Sequence, residues 1–464
     1  MKQEKISMKV MGAIVATGIL SFCGVLGETA MNVAFPTFIQ EFQITTAQVQ
    51  WLTTIYLLTL SIVVPLSGFF KHSFKSKTIF IASIIIFSSG VLIAAVSSNF
   101  SILLVGRAIQ GFGTGIALPL MFNIIIEQVP LSKIGMMMGV GTMIPAIAPA
   151  IGPIFGGIVI TQLGWRYIFI LLLPILIIAF FVGLFTIEQK NEISHKKLDV
   201  TSLLMIVFIF TGLIYAFGNL GTYTFFSIHV LGTLIVALLG VVGLIYSTNH
   251  VKNPLLNLKL LLNKAYLNHV ISFFIIQLVL MGLVFILPNY IQIVNGENAQ
   301  LSGFVVFPGA ALGALLTPVG GKLLDMLGPK KPITLGSLLL LFSLIIYYFT
   351  ANQMSNFLIG SLYFIFTLGI GLTFGNLMTN GLNQLSKETQ PDGNAIIMTF
   401  QQVAGAMGTS LVASILSISQ SKTELTNISG TIQGSKNSFI FLILLSLIEL
   451  LIVVTLFWKK SIKN

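Results

Sequence analysis

The sequence predicts an all-α polytopic membrane protein of fourteen transmembrane helices, grouped as six, two and six. Three observations predict it. Charged residues make up 8% of the 464 positions and hydrophobic ones 55%, where a soluble domain carries about 25% charged residues to cover its surface. Mean hydropathy is +0.98. Fourteen apolar runs, each about the 20 residues that a bilayer-spanning helix needs, fill most of the chain.

The runs centre near Leu20, Thr59, Ile86, Ala117, Pro149, Ile175, Phe210, Val236, Val279, Leu312, Leu341, Gly369, Val412 and Ile448. They are continuous, so they read as helices; a transmembrane barrel would alternate every second residue. The first run follows Lys2, Lys5 and Lys9 and extends to Glu28 without a small-x-small cleavage site, so it reads as a retained helix. Polar, basic stretches at about 188–199 and 249–264 isolate the seventh and eighth runs. The expected units are therefore 1–188 and 251–464, six helices each, with 189–250 as a two-helix linker.

An even number of spans puts both termini on one side, and the lysines say which. Twenty of the 24 basic residues fall on the termini side: Lys2, Lys5 and Lys9, then Lys71, Lys75, Lys77, Lys133, Lys190, Lys196, Lys197, Lys252, Lys259, Lys264, Lys322, Lys330, Lys331, Lys387, Lys459, Lys460 and Lys463. Arg166, Lys422 and Lys436 fall opposite, and Arg107 lies within a span. This asymmetry predicts cytoplasmic termini.

The net charge of +11 is therefore a topology signal and not a nucleic-acid surface. The single Cys23 excludes a disulfide framework, and the five scattered histidines have no metal-ligand spacing, so no metal site is expected. No Gly-x-x-x-x-Gly-Lys-Ser/Thr loop is present, so ATP is not the expected energy source. His229 and His269 have no acid near them in sequence, which argues against an intramembrane enzyme.

The tenth span ends in Gly321-Lys322-Leu323-Leu324-Asp325-Met326-Leu327-Gly328-Pro329-Lys330, and the second in Gly68-Phe69-Phe70-Lys71-His72-Ser73-Phe74-Lys75. Each is the second span of a six-helix half and enters a basic turn, a weak internal repeat of the sort found in secondary transporters. With these motifs the chain resembles, over its whole length, the major facilitator superfamily. It looks most like the fourteen-helix drug:proton antiporters, among them multidrug exporters of Gram-positive bacteria. That family's loop motif reads Gly-x-Leu-x-Asp-x-x-Gly-Arg-Lys. Gly321, Asp325, Gly328 and Lys330 fit it, with Pro329 in place of the Arg. In the first copy His72 stands where the Asp belongs. The resemblance implies that Asp325 locks helices together on the cytoplasmic side.

Further motifs carry the same resemblance. Asn32-Val33-Ala34-Phe35-Pro36 is similar to the end of the family's first-helix motif, and Glu28 lies just before it. A carboxylate within a span is costly unless protonated or paired, which suits a reversible proton carrier. Arg107 opens Arg107-Ala108-Ile109-Gln110-Gly111-Phe112-Gly113, which resembles the fourth-helix motif. Because span one runs outward and span four inward, Glu28 and Arg107 lie at similar depth. They are expected to pair directly or through water and Gln110, with Arg107 as a fixed counter-charge. Gly141, Pro145, Pro149 and Pro153 share a face of span five. Gly152-Pro153-x-x-Gly156-Gly157 resembles the antiporter motif and is expected to form a tightly packed, moving contact.

Glu127 closes the inner end of span four. An acid there could relay protons, and it also reads as a solvated helix end beside Lys133. Tyr56, Gln110, Asn123, Gln277, Asn289, Tyr290, Asn376, Asn380 and Gln401 are uncharged polar residues among many Phe and Met, expected to line a substrate cavity. For each, an interhelical hydrogen bond is the competing reading. Arg166 reads as structural, Trp51 as an interfacial anchor, and Glu449 has no assigned role. The resemblance implies a monomeric exporter of hydrophobic, often cationic drugs, dyes and quinolones. It would use protons as coupling ion, need no cofactor and sit in a lipid bilayer. The alternative on the same fold is export of one metabolite, such as an amino acid or a lipid-like molecule.

Overall fold

A computed structural model describes residues 6–44, 46–190, 193–194, 197–219, 226–251, 254–421 and 427–458. Lys2, Lys5, Lys196, Lys252, Lys422, Lys459, Lys460 and Lys463 lie outside the described residues. Among the described residues, fourteen helices are long and apolar enough to cross a membrane. They are α1 (Met8–Val33), α2 (Trp51–Ser73), α3 (Ser76–Ala95), α4 (Phe100–Gln128), α5 (Leu131–Gln162), α6 (Arg166–Thr186), α7 (Val200–Asn219), α8 (Ile228–His250), α9 (Lys264–Ile293), α10 (Gln300–Leu327), α11 (Lys330–Thr350), α12 (Asn356–Leu382), α13 (Gln390–Gln420) and α14 (Ile428–Phe457). Each span centre expected from hydropathy falls within its helix, and no strand occurs among the described residues.

Short polar side chains set several helix starts. Ser7, Asn99, Asn298 and Ser355 accept backbone N–H bonds from Val10, Ile102, Leu301 and Leu358, so the first turns keep their bonds at the membrane surface. Gly328 ends α10 at φ 73°, a conformation that a side chain would strain.

Glycine also sets how closely helices approach. A Cβ on Gly90 of α3 would lie 2.7 Å from the Gln110 amide of α4, and one on Gly212 of α7 would lie 2.6 Å from the Thr233 carbonyl of α8. Without a hydrophobic drive between helices in lipid, such close van der Waals packing holds the bundle. Helices α1–α6 form one half and α9–α14 the other. The α7–α8 pair packs on itself, and α7 also touches α2 and α13. Asp199 pins that pair: it accepts from the Ser202 backbone (3.1 Å) and from the Ser247 hydroxyl of α8 (2.7 Å).

A short helix that hydropathy does not reveal, Phe35–Phe42, lies at the end remote from the lysines. Its Glu41 accepts from Trp165 Nε1 (2.6 Å) and Arg166 Nη1 (3.0 Å), and Arg166 Nη2 reaches the Ser97 carbonyl. Arg166 thus ties three loops of the first half together.

Candidate functional site

Glu28 lies five residues from the end of α1, and Arg107 seven residues from the start of α4. At 1.5 Å per residue their depths differ by about 3 Å. Gly24, one turn before Glu28, brings α1 against α2 and α4: a Cβ there would lie 2.5 Å from Thr114 Oγ1 and 2.9 Å from the Tyr56 hydroxyl. Glu28 is half-buried, while Arg107, Tyr56 and Gln110 are buried. Glu28, Tyr56 and Arg107 lie within one another's electrostatic reach.

Of the two expected arrangements, the direct pair is not the one seen. No ion pair joins Glu28 to Arg107 among the described residues. Arg107 Nη1 donates to Gln110 Oε1 (2.6 Å) and Nε to the Leu52 carbonyl (3.3 Å), and the guanidinium lies 4.3 Å from the centre of the Tyr56 ring. Gln110 Nε2 in turn donates to the Gly90 carbonyl at 3.0 Å. The arginine is thus seated by neutral groups, and Nη2 is buried without a hydrogen-bond partner. A desolvated cation over an aromatic face is worth about 2 kcal/mol, enough to compete with a distant carboxylate.

Glu127 is also corrected. It is not a solvated end beside Lys133. It pairs with Lys71 Nζ at 2.6 Å, and both side chains are nearly buried. Lys71 donates as well to Ser76 Oγ (2.9 Å). The pair ties α2, α3 and α4 together at the lysine-rich end.

The two halves meet at that same end. Asp325 of α10 accepts from the backbone N–H groups of Gly135 and Met136, both at 2.9 Å, at the start of α5. Its carboxylate faces the positive end of that helix. Thr317 Oγ1 donates to the Gly139 carbonyl (2.9 Å), and Gly321 lets the α5 backbone approach. On the other seam His72 of α2 meets Asp392 of α13 at 3.0 Å, and Asn394 donates to Asn123 Oδ1 at 2.9 Å. Further along α5 the same face changes character. Gly135, Gly139 and Thr142 are buried, whereas Ala146, Pro149 and Pro153 are exposed. The facing surface of α10 is likewise uncovered at Gly303, where a Cβ would meet nothing within 4 Å. The halves are closed at the lysine-rich end and parted beyond it.

The antiporter-motif glycines Gly152 and Gly156 are tightly packed, and the helix they pack on is α1. A Cβ on Gly156 would lie 2.6 Å from the Ala30 carbonyl, and one on Gly152 would strike Thr29. Both contacts are with α1, within one half, so this is not a contact between moving halves. Gly157 has open space, and Pro153 is exposed.

The other expected cavity residues are scattered. Asn123 is engaged at the seam. Asn289 donates to the Phe285 carbonyl (2.7 Å), and the Tyr290 hydroxyl donates to the Ala351 carbonyl (3.0 Å). Asn376 donates to the Gly320 and Leu372 carbonyls, and Asn380 to His269 Nε2 at 2.6 Å. Gln277 of α9 lies beside Gly405 of α13, one turn from the half-buried Gln401. Glu449 is buried and accepts from Ser337 Oγ of α11 at 3.0 Å. Sequence reasoning missed Lys71, Asp392 and Asn394. The charged residues among them carried a signal, since a charge at a helix end packed in a bundle needs a partner.

Among the described residues, fourteen membrane-length helices in two halves that close on one another at one end give the architecture of a multi-pass membrane transporter. The sequence model of the Major Facilitator Superfamily matches residues 17–409, and the chain belongs to that superfamily. It is 36% identical over 417 residues to the lincomycin resistance protein LmrB of Bacillus subtilis (strain 168), covering 89% of this chain and 86% of that one. It is 27% identical over 423 residues to the multidrug resistance protein B homolog of Mycobacterium tuberculosis (strain ATCC 25618 / H37Rv), covering 90% and 78%. Among solved structures, the human organic anion transporter MFSD10 (TETRAN) superposes with a TM-score of 0.65 at 11% identity, covering 94% of this chain and 99% of that one. The proton:xylose symporter XylE does so with a TM-score of 0.64 at 13% identity, covering 95% of each. At such identities the likeness is one of fold.

Proposed function

We propose that the chain exports hydrophobic, often cationic drugs in exchange for protons, by alternating access, as a monomer with its lysine-rich end in the cytoplasm. The observation that carries the reading is Glu28, an acid within a span beside a seated but incompletely bonded Arg107. Such a carboxyl has no permanent partner to hold its charge, so proton and cationic drug compete for it. With the site open to the cytosol, Glu28 is ionised and helps hold the drug. With the site open outward, a proton takes the carboxylate, the drug leaves, and the neutral carrier returns. Each step shifts a population by binding one state better than the other. The names of the relatives make lincomycin the first drug to test, with dyes and quinolones beside it.

The test is a susceptibility panel of lincomycin, ethidium and a quinolone in a pump-deficient host, with proton release followed in inverted vesicles. Raised resistance with proton movement on drug addition is expected. No change for any of these compounds would favour export of a single metabolite. Orientation is tested separately. A cysteine at the exposed Asn99 is expected to react from outside, and one at the exposed Ser194 after permeabilisation alone; Ser76, the other inside position by hydropathy, is fully buried and so unsuited to labelling. Thr222, the other outside position by hydropathy, lies outside the described residues.

A further inference from the structure

We propose that Tyr56 is a positioning residue: its ring is the seat that keeps the Arg107 guanidinium in place while Glu28 gains and loses its proton. The inference rests on Glu28 being the proton carrier. Sequence pattern put Tyr56 in the drug cavity. Its side chain is instead fully buried, with no surface left for a drug in this conformation.

The geometry assigns the ring a different task. The guanidinium lies 4.3 Å from its centre, with Gln110 Oε1 and the Leu52 carbonyl as the remaining partners. None of the three changes charge when Glu28 does. A cation inside a bilayer needs an electrostatic partner at every step of the cycle, and the negative face of a ring supplies one that no proton removes. The ring is itself fixed. Its hydroxyl donates to Thr114 Oγ1 at 3.2 Å, and Thr114 Oγ1 donates to the Gln110 carbonyl at 3.0 Å. Gly111 lets the Tyr56 backbone lie against α4, where a Cβ would be 2.5 Å from the Tyr56 carbonyl. Gly24 leaves room for the hydroxyl beside α1. Three glycine- and threonine-lined contacts thus hold one aromatic face under one guanidinium. Arg107 Nη2 is the donor left over for a water or for Glu28.

The experiment uses the full chain in proteoliposomes, with ethidium as the probe. Ethidium affinity and ethidium-driven proton movement are measured on the same preparation. Tyr56→Leu keeps apolar bulk and removes the ring face. It is expected to retain ethidium affinity while proton movement falls by about thirtyfold, the scale of one desolvated cation–π contact. Tyr56→Phe, which keeps the ring, is expected to restore proton movement. Should Tyr56→Leu fail to insert, phenylalanines bearing one, two and three fluorines at position 56 give the same reading with almost no change of shape. Coupling should fall with each fluorine, because fluorine empties the ring face. Equal coupling across that series overturns the proposal. So does an ethidium affinity that falls in step with coupling in Tyr56→Leu, which would make Tyr56 a drug contact. A wild-type protein that binds ethidium yet moves no protons would instead overturn Glu28 as the carrier.

Discussion

His72 of α2 and Asp392 of α13 face each other at 3.0 Å across the seam between the two halves. The pair mirrors, with opposite polarity, the contact of Asp325 with the start of α5 on the other seam. In one half a loop-motif carboxylate caps a helix of the partner half. In the other half the loop residue is the imidazole, and the carboxylate belongs to the first turn of the partner helix. A Cβ on Gly68 would lie 2.9 Å from the Asp392 carboxylate, so glycine at that place admits the acid.

If this pair holds the lysine-rich end shut, Asp392→Asn or His72→Asn should loosen it. The expected cost is about 1 kcal/mol, a roughly fivefold shift toward opening. The measurement is the reaction rate of a cysteine at the buried Ser67 with a water-soluble thiol reagent, in a background with Cys23 replaced by serine. Exchanging the two residues should restore the slow rate. Single variants that label as slowly as the parent would show that the seam is held elsewhere.

Glu28→Gln should behave as permanently protonated. Drug-driven proton release and uphill export should both vanish, while downhill exchange of a neutral drug survives. Glu28→Asp should keep part of the activity with an altered pH dependence, because the carboxylate is withdrawn by one methylene. Vesicles carrying Glu28→Gln that still release protons on lincomycin addition would pass the role to another acid, with Glu127 the first to examine.

Three glycines of α5 should respond differently. Gly139→Ala sets a methyl group against the Thr317 carbonyl and Pro318 backbone, which cannot swing aside, so the seam should stay open and the Ser67 cysteine should label quickly. Gly156→Leu strikes the α1 backbone and should lower thermal stability by about 1–3 kcal/mol, the usual scale of overpacking. Gly157→Ala should change neither reading. Melting curves in detergent together with seam labelling separate the three.

Asp199 lies just outside the membrane-spanning part of α7. Burial pushes its carboxyl up, but hydrogen bonds from Ser202, Ser247 and the backbone of Ser202 and Thr201 outweigh that and hold it below the usual carboxylate range. A lowered value means that the ionised form stabilises the fold. The contribution should be complete above about pH 4 and fade as pH falls further. Asp199→Asn should cost about 1–2 kcal/mol at neutral pH. The difference in melting temperature from the parent should shrink in acid, and a constant difference would contradict this account.

The helices were legible because hydropathy in a bilayer leaves little choice: twenty apolar residues must form a helix that satisfies its own backbone. The lysine-rich end was legible for the same reason, as was the need of Glu28 and Arg107 for company. The partners were not. His72 and Asp392 are 320 positions apart, and nothing local in either segment announces the other. Tyr290 and Asn376 read equally well as cavity residues and as interhelical donors, because a polar side chain in a span signals that it needs a partner without naming one. The direction of Gly156 depends on which of two neighbours, α1 or α10, its face meets, and that is a property of the assembled bundle.

The neutral seating of Arg107 bears on the energetics of exchange. With Glu28 as carrier, the cluster holds one net positive charge when protonated and none when ionised. Swapping one proton for one monovalent cationic drug therefore moves no net charge, and membrane voltage neither helps nor hinders it. Swapping a proton for an uncharged drug carries one charge across, so that voltage adds about 2.3 kcal/mol per 100 mV of drive. One transporter would then draw on the pH gradient alone for some cargoes and on the full electrochemical gradient for others. Dissipating voltage at constant pH gradient would slow only the export of the uncharged ones.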